Sequence, residues 1–123
     1  FDPTDNAVTC VDISSTISSD WKFHGATTAA NGLVIFAPRH ADCVGIFDPT
    51  DNAVTCVDIS STISSDWKFA GATTAANGDV VFAPRQADCV GVFNATNNAF
   101  TCVDISSTIS SDGKFYGVTT AAN

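Results

Sequence analysis

The sequence predicts an all-β protein built from four-stranded antiparallel repeat units, and three observations support this prediction. The chain of 123 residues contains no Glu, no Met, one Leu and one Gln, which are residues that favour helices. It is rich instead in Val, Thr, Ile and Phe, which favour strands. It also repeats every 46 residues, and each repeat contains four short strand signals separated by turn residues.

Residues that end strands bound each strand of the unit. The first strand leads to Asn31-Gly32, a pair that favours a two-residue hairpin turn because both residues tolerate a positive φ. Pro38 closes the second strand, and a Pro-containing turn over 48–52 separates the third strand from the fourth. A connector rich in Ser and Thr, 60–66, then leads to the next unit with only a weak helical signal. The predicted strands of one unit are 22–30, 33–37, 42–47 and 53–59.

The repeat organises the whole chain as a single region. The segment that begins at Phe1 returns at Phe47 and, in altered form, at Phe93. We therefore divide the chain into repeats 1–46 and 47–92 and a partial repeat 93–123. The first two repeats differ at only five positions.

Four antiparallel strands in about 40–50 residues is the pattern of a β-propeller blade. Three motifs resemble those of kelch-like and related β-propeller repeats: Phe23-x-Gly25-Ala26, Ala30-Asn31-Gly32-x-Val34-x-Phe36 and Val44-x-x-Phe47-Asp48-Pro49. The resemblance spans the chain and implies a radial scaffold used for binding. An open stack of four-stranded units or a β-solenoid is the alternative, although a coil of 46 residues is long for a β-helix.

Repeat number and charge together indicate which partners to expect. The chain holds two repeats and part of a third, whereas propellers have about 4–8 blades. We therefore expect an excerpt of a longer repetitive chain, an oligomer or a filament, with other copies or further repeats as partners. The formal net charge of −8 argues against nucleic-acid binding, and the sequence has no run of about 18 apolar residues that would span a membrane.

The cysteine spacing predicts disulfides. Cys43 and Cys56 bracket the hairpin turn between the third and fourth strands, and Cys89 and Cys102 repeat the arrangement. If residues 46 and 53 face each other across the turn, the cysteines of each pair also face each other. Cys10 is left unpaired within the chain. Five small buried thiols are the alternative interpretation. Disulfides predict an oxidising, extracellular or secreted location.

Two further features of the turns bear on this location and on metal binding. Asn94-Ala95-Thr96 is an N-glycosylation acceptor pattern on a predicted exposed turn, which suggests a glycoprotein. Carboxylates three residues apart form a weak Ca²⁺ candidate, because hard cations bind several oxygen ligands. A purely structural role in the turn is the stronger interpretation. The carboxylates are Asp2 and Asp5 in the first repeat, and Asp48 and Asp51 in the second.

The candidate ligand-facing residues cluster at the first strand of each unit, where the copies differ. They are Trp21, His24, Trp67 and Tyr116. Aromatic side chains at this place could stack on a sugar, which suggests a carbohydrate-binding, lectin-like propeller as one alternative. Packing of the tryptophans between blades is another. No nucleophile motif or phosphate-binding glycine loop occurs, so the sequence predicts a non-catalytic structural or protein-interaction repeat protein without a cofactor.

Charged residues also recur with the repeat. Lys22, Lys68 and Lys114 each precede a Phe, and Arg39 and Arg85 each follow a Pro, with Asp residues two or three positions away. We expect these residues to form ion pairs between repeats at the surface, each worth about 0–1 kcal/mol.

Overall fold

A computed structural model describes residues 1–122 and contains eight strands in two four-stranded sheets. The strands of the first sheet, here called blade 1, are β1 (Phe23–Thr28), β2 (Val34–Pro38), β3 (Cys43–Asp48) and β4 (Ala53–Asp58). The strands of the second sheet, blade 2, are β5 (Phe69–Thr74), β6 (Val80–Pro84), β7 (Cys89–Asn94) and β8 (Ala99–Asp104).

Both sheets are antiparallel meanders in which each strand pairs with the next one along the chain. The predicted all-β class and the four strands of the unit are confirmed, with bounds that differ by at most two residues. The Ser- and Thr-rich connector 60–66 folds as turns and coil. No helix long and apolar enough to cross a membrane occurs within residues 1–122. Asn123, the last residue of the predicted partial repeat, lies outside the described residues.

The hairpin between β1 and β2 differs from the predicted two-residue turn. The Ala29 N–H donates to the Leu33 carbonyl at 2.8 Å, so three residues, 30–32, form the loop. Only Gly32 of the predicted Asn-Gly pair has a positive φ, of 86°. Three-residue hairpins commonly place one residue in this left-handed conformation, and glycine adopts it without a steric penalty.

The first strand of each blade contains a β-bulge. Pairing between β1 and β2 shifts between Phe23 and Ala26, and Gly25 within the bulge has a φ of 90°. The bulge directs the Phe23 ring over the β3 backbone, where a Cβ on Gly45 would lie 2.7 Å from the ring. Glycine at position 45 therefore makes room for the aromatic ring.

One apolar cluster joins the two blades. Its fully buried members include Ile35 and Val44 from blade 1, and Phe69, Phe82 and Phe93 from blade 2. The Phe69 and Phe82 rings lie 5.6 Å apart, a separation typical of favourable aromatic pairs. The protein core therefore lies between the blades as well as within them.

Candidate functional site

The inner strands of adjacent repeats touch at a column of glycines. A Cβ on Gly25 would lie 2.7 Å from the Gly71 Cα, and one on Gly71 would lie 3.1 Å from the Gly117 Cα. Beside this column the Thr74 hydroxyl donates to the Thr28 carbonyl at 2.6 Å. The chain thus contains a first interface, between blades 1 and 2, and a second interface, between blade 2 and residues 113–122.

Each interface contains one lysine that is buried and paired across it. Lys68 has a fully buried side chain and its Nζ lies 3.0 Å from an Asp42 oxygen. Lys114 repeats the contact with Asp88 at 3.1 Å, and both aspartates remain more than half exposed. These contacts differ from the surface ion pairs expected from the sequence, because the lysine is buried. A buried ammonium that loses its partner lowers the stability of the fold.

The two arginines stack on aromatic rings instead of pairing with carboxylates. Arg39 lies between Trp21 and Trp67, with its guanidinium carbon 4.8 Å and 3.7 Å from the ring centroids. Arg85 lies between Trp67 and Tyr116, at 4.3 Å and 4.7 Å. These five side chains form a continuous row across both interfaces, here called the cation–π ladder. Each contact is worth about 0.5–1 kcal/mol where exposed and more where desolvated.

The ladder uses a different sequence position in the third copy. Trp21 and Trp67 both have positive φ, of 51° and 57°, and Gly113 occupies the equivalent position with a φ of 60°. The missing ring is supplied by Tyr116, which stands where the second copy has Ala70. Glycine suits the left-handed conformation, and the tyrosine completes the ladder from three residues further along.

The predicted ligand-facing residues therefore fall into two groups. Trp21, Trp67 and Tyr116 belong to the ladder, and the first and last are each 66% exposed. Both faces of the Trp67 ring are covered by guanidinium groups, which leaves them no room for a sugar. His24 lies exposed on β1 and is not part of the ladder.

Both predicted disulfides are present. Cys43 is joined to Cys56 and Cys89 to Cys102, with Cα separations of 5.4 Å and 5.3 Å. Each closes a separation of 13 residues, worth about 3 kcal/mol on the chain-entropy model. Cys10 is exposed and has no cysteine partner among residues 1–122.

The register of the disulfides differs from the one expected. Cys43 is opposite Asp58 and Cys56 is opposite Gly45, so the bridge runs diagonally between β3 and β4. The hairpin closes at Asp48 and Ala53 instead of at residue 46, which shifts the whole pairing. Diagonal neighbours on one face of a sheet are near enough for this connection.

The turn carboxylates proposed as Ca²⁺ ligands bind their own backbone. Asp48 accepts hydrogen bonds from the Thr50 hydroxyl at 2.6 Å and the Thr50 N–H at 2.9 Å, and Asp51 accepts one from the Ala53 N–H. The hydroxyl of Thr50, followed by its N–H, lowers the pKa of Asp48. Asp2 and Asp5 form the same pattern in the first copy. Within residues 1–122 no group of three His, Cys, Asp or Glu side chains could hold a metal ion.

Asn94 occupies the equivalent turn of blade 2. Its Oδ1 accepts a hydrogen bond from the Thr96 N–H at 2.9 Å, as the Asp48 carboxylate does from Thr50. Thr96 is exposed, and Asn31 of blade 1 donates to the Ala95 carbonyl at 3.1 Å. Asn94, the predicted glycosylation site, therefore lies at the edge of the first interface.

A cavity opens on the face of blade 1 that is turned away from blade 2. It measures about 350 Å³ and lies between the segment before blade 1 and blade 1 itself. Its lining is Thr9, Val11 and Ile13 from that segment, and Phe23, Phe36, Phe47 and Val54 from the blade. These phenylalanines are only half-buried. Their counterparts on blade 2, which face blade 1, are the fully buried Phe69, Phe82 and Phe93.

A second apolar cavity opens on the opposite face of blade 2. It measures about 260 Å³ and is lined by residues that include Val81, Ala83, Val90 and Phe115. Val81 and Val90 are half-buried, whereas their blade 1 counterparts, Ile35 and Val44, are fully covered at the first interface. The cavity of blade 1 thus exposes the aromatic residues, and the cavity of blade 2 the aliphatic residues, whose counterparts are buried together at the first interface.

Comparison with known proteins identifies similar structures but no similar sequence. No protein-family model and no curated protein matches the chain. Two structures of virginiamycin B lyase from Staphylococcus aureus, a β-propeller, are similar: a selenomethionine-substituted form and a catalytically inactive variant with quinupristin. Each has a TM-score of 0.60 and 15% identity, and the match covers 76% of this chain and 30% of the lyase chain. The likeness supports propeller blades as the fold.

The prediction that the protein is not an enzyme is wrong on this finding. It relied on the lack of a nucleophile motif and of a phosphate-binding glycine loop in the sequence, whereas the similar propeller is an enzyme. A fold does not determine an activity, because the reacting groups are carried by loops and side chains that vary independently of the scaffold. At 15% identity the likeness concerns the fold alone.

Sequence reasoning missed the role of the arginines. It treated Arg39 and Arg85 as members of surface ion pairs, whereas both stack on aromatic rings. A usable signal was present in the spacing. Each arginine lies 18 residues after a tryptophan and 28 residues before the position that the tryptophan occupies in the next repeat, which holds Trp67 or Gly113. Only the three-dimensional arrangement shows that the rings of adjacent copies cover both sides of one guanidinium.

Proposed function

We propose that the chain is part of an extracellular, kelch-like propeller assembly that serves as an interaction scaffold and binds further blades of its own type. The observation that supports the proposal is the correspondence of the two cavities. The cavity of blade 1 is lined by Phe23, Phe36 and Phe47, whose counterparts on blade 2 are covered by blade 1. The cavity of blade 2 exposes Val81 and Val90, which are counterparts of the blade 1 residues buried at the first interface.

The chemistry of the two faces supports a like blade as the partner. At the first interface, aromatic side chains of one blade pack in one cluster with Ile35 and Val44 of the other. Val81 and Val90 provide the same aliphatic surface on blade 2. A further blade of the same sequence would bury both faces, whether it belongs to a second copy or to more chain. Repeat proteins gain stability in this way, by nearest-neighbour contacts.

Two features support the extracellular location. The Cys43–Cys56 and Cys89–Cys102 disulfides form and persist in oxidising compartments. The exposed turn at Asn94 could carry a glycan. Intact-mass measurement of the native protein, before and after reduction and glycosidase treatment, tests both features.

The assembly is tested by native mass spectrometry of the full chain over a range of concentrations. Val54→Asp places a charge in the cavity of blade 1, and Val81→Asp places one in the cavity of blade 2. We expect wild-type multimers and a loss of self-association in each variant. A mixture of the two variants should form a one-to-one dimer, because each retains the face that the other has lost.

Asn97→Asp is the matched control, since it adds the same charge on an exposed turn and restores the residue found at Asp51. It should associate like the wild type. A wild-type chain that is monomeric at all concentrations, or variants that associate normally, would contradict the proposal.

Carbohydrate binding is a second candidate, supported by the exposure of Trp21. The ring is 66% exposed and stacks on Arg39. A sugar bound there should change the tryptophan fluorescence, and Trp21→Ala should abolish that change while Trp67→Ala leaves sugar affinity intact. A glycan array without signal would exclude the candidate.

A further inference from the structure

Arg39 is a buried cation without an anionic partner among residues 1–122. Its side chain belongs to a residue only 9% exposed, and its Nε is buried with no hydrogen-bond acceptor. The two ion pairs in this part of the chain use Lys68 and Lys114 instead. Stacking on the two tryptophan rings supplies no hydrogen-bond acceptor for this Nε–H.

A second unpartnered nitrogen lies in the adjacent residue. His40 Nε2 is buried and has no hydrogen-bond partner in the described part of the chain. The His40 ring lies 5.1 Å from the Trp67 ring at an interplanar angle of 65°. Arg39 covers a face of the same tryptophan at 3.7 Å. Two potential donors without acceptors therefore lie against one aromatic ring at the first interface.

We propose that Arg39 and His40 form a binding site for a single carboxylate group. The planar guanidinium presents N–H donors in a fork that matches the two oxygens of a carboxylate, and hydrogen bonds between charged groups are the strong ones. Trp21 and Trp67 clamp the guanidinium from both sides, so it loses little freedom when a ligand binds. His40 supplies a further donor when its Nε2 carries the proton.

The second interface lacks this arrangement. Arg85 is half-buried and donates from Nη2 to the Tyr116 hydroxyl at 3.3 Å. Gln86 stands in place of His40 and is exposed. Residues 1–122 therefore contain one such site and, 46 residues later, a natural comparison in which the equivalent arginine, Arg85, donates to a tyrosine hydroxyl.

The site can be observed directly, because Arg39 and Arg85 are the only arginines in the sequence. In the full chain labelled with ¹⁵N-arginine, the two Nε–H signals are assigned with Arg85→Lys. The probes are sodium acetate, glucuronate and N-acetyl-aspartate methylamide, titrated at constant ionic strength. We expect a saturable shift of the Arg39 signal and only a small linear drift of the Arg85 signal.

Three variants complete the test. His40→Leu should weaken the affinity about tenfold, the effect of losing one hydrogen bond to a charged group. Arg39→Lys should leave no saturable signal, and Asn97→Asp should bind like the wild type. Near-ultraviolet circular dichroism establishes that each variant is folded. Tighter binding of glucuronate would identify an acidic sugar as the source of the carboxylate, and tighter binding of the aspartate derivative an acidic peptide. Equal, unsaturable shifts of both arginines, or an unchanged affinity in His40→Leu, would overturn the proposal.

Discussion

The first and second interfaces perform the same task with different residues. Both keep a buried lysine paired with an aspartate and a threonine that donates to the neighbouring strand. They differ in backbone approach, since a Cβ on Gly25 would lie 2.7 Å from the next glycine and one on Gly71 would lie 3.1 Å away. They also differ in the ladder, where Trp67 serves the first and Tyr116 completes the second.

The difference shows which features of an interface depend on position and which on chemistry. The lysine and the glycine recur at the same phase of the repeat, because the backbone geometry determines where they must stand. The aromatic ring, in contrast, can come from the tryptophan position of the repeat or, as in the third copy, from Tyr116 three residues later. Only the position of the ring beside the arginine matters. Backbone contacts should therefore tolerate less change than the ladder.

The largest expected effect comes from the glycine column. Gly25→Ala should lower the free energy of unfolding by about 2–4 kcal/mol, because the new methyl group meets the Gly71 backbone and the φ of 90° disfavours a side chain. Gly71→Ala should cost less, since its nearest contact is longer. Urea unfolding of the full chain measures both values.

Gly117→Ala is the control for this prediction. A Cβ there has no atom within 4 Å, so the change should stay within about 0.5 kcal/mol. Equal destabilisation by all three alanines would mean that close approach of the inner strands does not limit the interface.

The buried lysines provide the next largest effect. Asp42→Asn leaves the Lys68 ammonium buried without an anion and should cost about 1–2 kcal/mol, less than for a fully buried pair because Asp42 is half exposed. Lys68→Met retains the aliphatic stem and returns Asp42 to solvent, so it should cost under about 1 kcal/mol. Asp88→Asn should have a smaller effect than Asp42→Asn, since Asp88 is 67% exposed. A larger cost for Lys68→Met than for Asp42→Asn in urea unfolding would show that the contacts of the ammonium matter more than the penalty for leaving it buried without an anion.

The ladder should give a smaller but more specific effect. Tyr116→Ala removes one cation–π contact and the exposed hydroxyl that accepts a hydrogen bond from Arg85, and should cost about 0.5–1 kcal/mol. Gly113→Trp alone places a second ring where Tyr116 already stacks and should also destabilise. The double variant converts the second interface into a copy of the first and should return to within about 0.5 kcal/mol of the wild type. A double-mutant cycle measures this coupling, and strictly additive effects would contradict the compensation.

Much of the fold could be predicted because the repeat multiplies weak signals. Strand ends were correct within two residues, since Pro38 and the Asp-Pro turn recur at the same phase. The disulfide partners followed from spacing, but the register did not, because it depends on whether the hairpin closes at residue 46 or 48. A change of two residues in the turn cannot be seen in composition or periodicity.

The candidate site was harder to predict because its contacts join different copies. Trp21 and Trp67 were predicted as ligand-facing residues, and the regular spacing of the arginines from them does not by itself show that Arg39 lies between the two rings. The burial of Lys68 is likewise invisible, since a lysine before a phenylalanine is usually a solvated residue. These contacts depend on how adjacent blades pack.

The smallest expected effect concerns the turns, where blade 1 carries Asp48 and blade 2 carries Asn94. Because hydrogen bonds from Thr50 lower the pKa of Asp48 in the folded chain, this turn contributes stability above the ordinary Asp value of about 3.9. That contribution is lost as pH falls through the lower folded pKa. Asn94 accepts the equivalent N–H without titrating.

Asp48→Asn should therefore make the thermal midpoint fall less steeply between pH 5 and pH 2, and Asn94→Asp should make it fall more steeply, as measured by circular dichroism. Parallel curves for the three proteins would mean that the turn carboxylate has the same pKa in the folded and unfolded chains. Opposite changes in the two variants would show instead that the neutral turn of blade 2 keeps the hydrogen-bonded geometry while removing one source of acid sensitivity. The two blades would then differ in their response to acid through one exchange of Asp for Asn on an otherwise common scaffold.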